Sequence, residues 1–172
     1  MRGILAASAA LLALAAGPGV VPAWAADTNP KPDWSVIVMT ADVARPAPVT
    51  WERIGGHDYC AIAKFLAIKS CSKVSGGDAV GALRMINGTI PELLVARTPL
   101  SYTYAQPASP IFYHGTMAVE PVDAHHSRIV YTLLYDQAPL GTDAAMAANR
   151  EQRRSRFQAA VDKMKAAAEA AP

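Results

Sequence analysis

The stretch Val80–Tyr113, VGALRMINGTIPELLVARTPLSYTYAQPASPIFY, decides how the rest of the chain is read. Asn87-Gly88 between two apolar runs predicts a β-hairpin, because both residues tolerate the positive φ of tight hairpin turns. Thr98-Pro99 and Pro107-Ala108-Ser109-Pro110 then divide the remainder into short strands, over Thr89–Arg97, over Leu100–Ala105 and from Ile111 onward. Arg84 and Glu92 sit inside the apolar hairpin strands, and Tyr102, Tyr104 and Tyr113 come after them. Apolar strands with a few polar groups describe the wall of a binding cavity better than a plain core.

Working outward, Ser35–Val43 is β-rich and is read as the first strand. Two short helices come next, Val49–Ile54 stopped by Gly55-Gly56, and Tyr59–Ile68 with Asp58 as candidate N-cap. Ser72–Asp78 reads as a Gly/Ser loop, and Ala79–Ile86, Ile111–Val122 and Arg128–Gln137 read as further strands. Their short connections imply an antiparallel meander. Pro139–Asp143 ends the sheet and caps a long helix, Ala144–Ala170, with an apolar stripe of Met146, Phe157, Ala160, Val161, Met164 and Ala168. At 100° per residue Arg150 and Arg153 fall on that stripe, Arg154 at its edge, and Arg156 elsewhere.

The first 25 residues are expected to be a secretory signal peptide. Arg2 supplies a positive n-region, Ile4–Ala16 an apolar run, and Ala23-Trp24-Ala25 a cleavage pattern. Asp27–Asp33 is a polar, Pro-rich lead-in, so residues 26–34 are read as flexible and 35–172 as one domain. This predicts a periplasmic or secreted protein with no stable membrane insertion. A net charge of +2 over 172 residues argues against nucleic-acid binding. Cys60 and Cys71 are the only cysteines, and in an oxidising compartment an even count favours a disulfide. Their spacing fits neither a redox C-x-x-C motif nor a close zinc knuckle.

Several short patterns stand in a fixed order: Val49-x-Trp51-x-x-Ile54, Val80-Gly81-x-x-Arg84 with the Asn87-Gly88 turn, Ile90-x-Glu92-x-Leu94, Tyr102-x-Tyr104, Tyr113-x-Gly115-Thr116 with Val119-x-Pro121, and Ser127-x-Ile129. With the closing helix, this order resembles the SRPBCC superfamily, which includes START lipid-transfer domains, the birch pollen allergen group, bacterial polyketide cyclase/dehydrase-like proteins and plant abscisic acid receptors. The resemblance spans about Ser35–Ala170. It implies an α+β helix-grip fold: a curved antiparallel sheet of six to seven strands wrapped around a long C-terminal helix, with two short helices after strand 1. It also implies a cavity between sheet and helix for a hydrophobic or amphipathic molecule. The tight Asn87-Gly88 turn replaces the long gating loop of the plant receptors.

Period-2 alternation assigns Tyr113, Gly115, Met117 and Val119 inward, then Ile129, Tyr131, Leu133 and Tyr135, with Tyr102 and Tyr104 on the same face. The facing of Arg84 and Glu92 depends on register. A two-residue turn sets Arg84 opposite Pro91 and Glu92 opposite Leu83, on different faces. A longer loop with Gly88 as a bulge pairs Ala82 with Glu92 and leaves Arg84 its diagonal neighbour; the resemblance favours this register, with both groups inward. Arg150 and Arg153 are read either as a cationic rim at the cavity mouth or as side chains snorkelling over the core edge.

The ligand-binding set is therefore Arg84, Glu92, Tyr102, Tyr104, Tyr113, Met117, Tyr131, Arg153 and Phe157. No catalytic set, metal cluster or cofactor motif is evident. His125-His126 reads as a solvated turn, and His57, before Asp58, either as a residue at a helix start or as part of an acid/base pair. The leading functional reading is a periplasmic carrier or binding protein for a small lipid, isoprenoid or aromatic. The alternatives are a cyclase/dehydrase-like enzyme or a non-catalytic accessory of an exported redox enzyme.

Overall fold

A computed structural model describes residues 31–171. The expected signal peptide and most of the lead-in lie outside these residues. The chain order is β1 (Trp34–Val43), α1 (Ala47–Ile54), a 3-10 helix (Ala61–Leu66), β2 (Cys71–Ser75), β3 (Leu83–Ile86), β4 (Ile90–Thr98), β5 (Ser101–Ala105), β6 (His114–Pro121), β7 (Ser127–Asp136), a short 3-10 turn (Ala138–Leu140) and α2 (Asp143–Glu169). The strands form one seven-stranded antiparallel sheet in the order β1-β7-β6-β5-β4-β3-β2. This is the helix-grip architecture, with two short helices after the first strand.

Local chemistry explains most element boundaries. Pro46 precedes α1 and Gly55 closes it in the left-handed conformation, while Ala47, Thr50, Trp51 and Ile54 bury one face. Gly56 is required next, because a Cβ there would lie 2.2 Å from the Trp51 indole. Thr142 starts α2 by accepting the Ala145 amide at 3.2 Å. From α2 the side chains of Phe157, Ala160, Val161, Met164 and Ala168 enter the core, as the stripe predicts. Met146 is only half-buried. The inward strand residues are buried as the alternation predicts, from Tyr102 and Tyr104 through Tyr135.

Four expectations need correction. The second short helix is a 3-10 segment, and Asp58 does not cap it; its Oδ1 accepts the Cys60 amide at 2.8 Å, two residues on. Cys71–Ser75 is not a loop but an edge strand paired with β3. Four of its five residues are exposed, so it carries no hydrophobic alternation to reveal it. Strand β6 begins at His114 rather than Ile111, because Phe112 has φ +50° and breaks the extended run. Finally, the β3–β4 register is neither of the two expected. Ile86 pairs with Ile90 around a three-residue turn, with Asn87 and Gly88 both at positive φ. Arg84 therefore stands directly opposite Glu92.

Cys60 and Cys71 form a disulfide with Cα atoms 5.6 Å apart, tying the start of the 3-10 segment to edge strand β2.

Candidate functional site

At one end of the sheet, β3, β4, β5 and β6 open away from α2. The gap is a cavity of about 260 Å3 lined by Arg84, Glu92, Gln106, Tyr104, Tyr113 and Phe157, with Leu66, Ile68, Ile86 and Ile90 at its sides and Arg153 and Arg156 at its mouth. A groove of about 170 Å3 along α2 shares Arg153, Arg156 and Phe157 with it. The combined space lies near the lower end of the roughly 300–1,000 Å3 usual for small-molecule sites.

The floor is a compensated ion pair. Arg84 is 3% exposed and Glu92 5%. Arg84 Nε donates to Glu92 Oε2 at 2.8 Å, and Nη2 contacts the same oxygen. Its Nη1 donates to the Tyr59 carbonyl. The other Glu92 oxygen accepts from Gln106 Nε2 at 2.9 Å. The guanidinium also lies 4.0 Å from the Tyr59 ring centre and 5.0 Å from that of Tyr104. Burial works against the Arg84 charge, but Tyr102, Glu92 and Tyr59 around it outweigh that and hold its pKa above the ordinary arginine value. A buried charge needs this degree of compensation.

The wall is aromatic. Tyr104 pairs with Gly115 across β5 and β6, and a Cβ at that glycine would lie 2.4 Å from the Tyr104 ring, so only glycine leaves the ring its place. The Tyr104 and Tyr131 hydroxyls share a hydrogen bond at 3.0 Å. Burial pushes both phenols well above their usual pKa and moves Tyr113 up to about 12. All three are neutral hydrogen-bonding groups at physiological pH.

The mouth is cationic and uncompensated. Arg153 donates its Nε to Asn149 Oδ1 at 2.7 Å, and its guanidinium lies over the Tyr135 and Tyr113 rings at 4.6 and 5.1 Å. Arg156 donates to the Leu66 carbonyl at 3.2 Å. Among the described residues, neither has an acid within ion-pair distance.

Of the expected ligand-binding residues, the structure brings Arg84, Glu92, Tyr104, Tyr113, Arg153 and Phe157 to the cavity. Tyr102, Met117 and Tyr131 do not line it. They are fully buried in the core beside it, Tyr131 packing edge-on against Phe157 at 5.0 Å. Alternation sorts a strand's two faces but does not say where along the inner face the packed core ends. Gln106 and Arg156 escaped the sequence reading. Continuing the Tyr102, Tyr104 alternation by one step reaches Gln106. Arg156 lies off the helical stripe by angle, and its long side chain reaches back to the cavity mouth.

The other histidines and acids make no competing centre. No group of three or more metal-ligating side chains occurs among the described residues. A second depression, at the opposite end of the sheet, is lined by groups that engage one another: Arg128 pairs with Asp42 and Lys165 with Glu169, and His126 Nδ1 lies 2.9 Å from the Asp123 carboxylate.

A seven-stranded sheet gripping a long C-terminal helix, with a polar-floored cavity between them, defines a ligand-binding protein of the SRPBCC superfamily. Residues 36–169 match the family described as polyketide cyclase / dehydrase and lipid transport, and the chain belongs to that family. Solved structures agree on the fold. A protein of Nitrosospira multiformis is 22% identical with a TM-score of 0.58, covering 76% of this chain and 96% of its own. A protein of Thermobifida fusca is 19% identical with a TM-score of 0.61, covering 80% and 97%. Ara h 8.0201 is 15% identical with a TM-score of 0.51, covering 78% and 99%. No curated protein matches the chain significantly.

Proposed function

We propose that the protein is an exported carrier or binding protein for a small amphipathic molecule with an apolar, preferably aromatic, body and an anionic group. One observation carries this reading: two arginines without acid partners stand at the mouth of an aromatic-walled cavity whose own buried charges are already paired. Arg84 and Glu92 spend their hydrogen bonds on each other, on Gln106 and on the Tyr59 carbonyl. They act as a fixed polar floor that orders Tyr104 and Gln106. The ligand's anionic group is assigned to Arg153 and Arg156, and its body to Tyr104, Tyr113 and Phe157.

Export rests on the apolar run and cleavage pattern of residues 1–25 and on the Cys60–Cys71 disulfide, a bond that persists in oxidising compartments. In a bacterial cell that compartment is the periplasm. Native mass spectrometry of the protein recovered from its producing cells tests the carrier reading. A retained small acid is expected, released on denaturation and absent from the Arg153→Ala/Arg156→Ala variant. Recovery of an empty protein that turns over a small diketide mimic would replace the carrier with an enzyme.

A further inference from the structure

The end of the molecule that holds the cavity mouth also carries an apolar surface that the cavity does not use. Phe112 is a bulky L-residue at φ +50°, a conformation such residues rarely adopt. It is held there by neighbouring bonds: its own amide to the Ser109 carbonyl at 3.2 Å, the Gln106 amide to the Tyr113 carbonyl at 2.9 Å, and the Asp136 amide to the Ile111 carbonyl at 2.7 Å. The turn sends Tyr113 into the cavity wall and leaves Phe112 61% exposed on the outside. Its ring meets Trp34, itself 50% exposed, edge-on at 5.8 Å. Val36 and Leu134, exposed and paired across β1 and β7, continue the patch.

A hydrogen-bond chain links the Trp34 edge of this patch to the arginines of α2. Arg150 Nη1 donates to Gln137 Oε1 at 2.7 Å, and Gln137 Nε2 donates to Asp33 Oδ2 at 2.9 Å, one residue before Trp34. Arg153 stacks on Tyr113, which adjoins Phe112. Arg150, Arg153, Arg154 and Arg156 have no acid partners among the described residues. Of the nearby carboxylates, two are engaged by protein donors: Asp136 Oδ1 takes the amides of Asp33 and Ala138, and Asp33 takes Gln137. Glu151, exposed on α2, is the one acid among four arginines over residues 150–156.

We propose that the cavity-mouth end docks on an anionic lipid surface, with Trp34 and Phe112 entering the headgroup boundary and Arg150 and Arg154, the two α2 arginines outside the cavity lining, meeting lipid phosphates. Exposed Trp and Phe beside clustered Arg is the composition that partitions to such a boundary. A second copy of the chain would cover the aromatic pair but would set the arginines of two molecules close together. A lipid phosphate surface satisfies both features. The inference does not depend on what the cavity holds.

Vesicle flotation of the exported, processed chain tests it. Wild type is expected to float with phosphatidylglycerol-containing vesicles, less with pure phosphatidylcholine, and to be released by high salt. Trp34→Ser/Phe112→Ser is expected to lose at least tenfold in binding, while Val74→Ser, exposed on the far edge strand, binds as wild type. Circular dichroism of the double variant is expected to match wild type, since both side chains are exposed. Three results would each overturn the proposal. One is no flotation of wild type. Another is flotation unchanged in the double variant, which would place binding on another surface of the chain. The last is a wild-type dimer in sedimentation that the double variant abolishes.

Discussion

The floor and the mouth of the cavity both carry arginine, and they treat its charge in opposite ways. At the floor Arg84 is buried, paired with Glu92 and bonded to a backbone carbonyl. At the mouth Arg153 and Arg156 have only neutral acceptors, Asn149 Oδ1 and the Leu66 carbonyl. Removing a partner from a buried pair leaves a charge that water cannot reach, whereas a partly exposed arginine keeps its hydration. The floor is thus tied to stability, and the mouth is the part we propose for recognition.

The largest test of that division is Glu92→Ala, which strands Arg84 and is expected to cost about 3–5 kcal/mol in urea unfolding. Replacing both partners, Arg84→Met with Glu92→Leu, is expected to recover most of that loss. If the single and double variants are equally unstable, the floor is not held by charge compensation. Next in size is the Cys60–Cys71 bond, one residue from the Tyr59 carbonyl that takes Arg84. Cys60→Ser/Cys71→Ser is expected to lose about 3 kcal/mol in the chain-entropy model, measured by the same unfolding curves.

Alkaline pH probes the tyrosine wall. Burial raises Tyr104, Tyr113 and Tyr131 above the ordinary phenol value. The folded chain therefore keeps phenolic protons that the unfolded chain has lost once the pH passes about 10. Each such group makes stability fall by roughly 1.4 kcal/mol per pH unit as the pH rises from there towards 12. Below pH 10 these groups add no slope. Phenolate absorbance is expected to appear together with unfolding; tyrosines titrating at their usual value in the folded protein would contradict the buried wall.

The smallest stability effect belongs to the mouth. Arg153→Ala and Arg156→Ala are each expected to change unfolding by no more than about 0.5 kcal/mol, while weakening an anionic ligand. A large loss of stability would move them from recognition to structure.

How far the sequence could be read depends on which pattern carried each feature. Alternation in β6 and β7 set the inward residues correctly, because one face of each strand packs on the helices, β6 on α1 and β7 on both, and the other does not. The same rule was silent for β2, where nearly every residue is exposed. The facing of Arg84 turned on the length and the position of the hairpin loop. Asn87-Gly88 fits more than one register, and Thr89, with its amide on the Ile86 carbonyl, completes the three-residue turn. Helical projection placed Arg153 at the cavity but missed Arg156, since an angle measured at Cα ignores a side chain's reach. The polar grip on Glu92 by Gln106 depends on β4 and β5 lying side by side, a contact invisible before the sheet is assembled.

The most direct test of the recognition claim compares an aromatic carboxylate with its neutral carboxamide by isothermal titration, in wild type and in Arg153→Ala/Arg156→Ala. Wild type is predicted to prefer the acid by at least tenfold, and the variant to bind both nearly alike. Equal affinities in wild type, or a preference that survives loss of both arginines, would contradict the assignment of the anionic group to the cavity mouth.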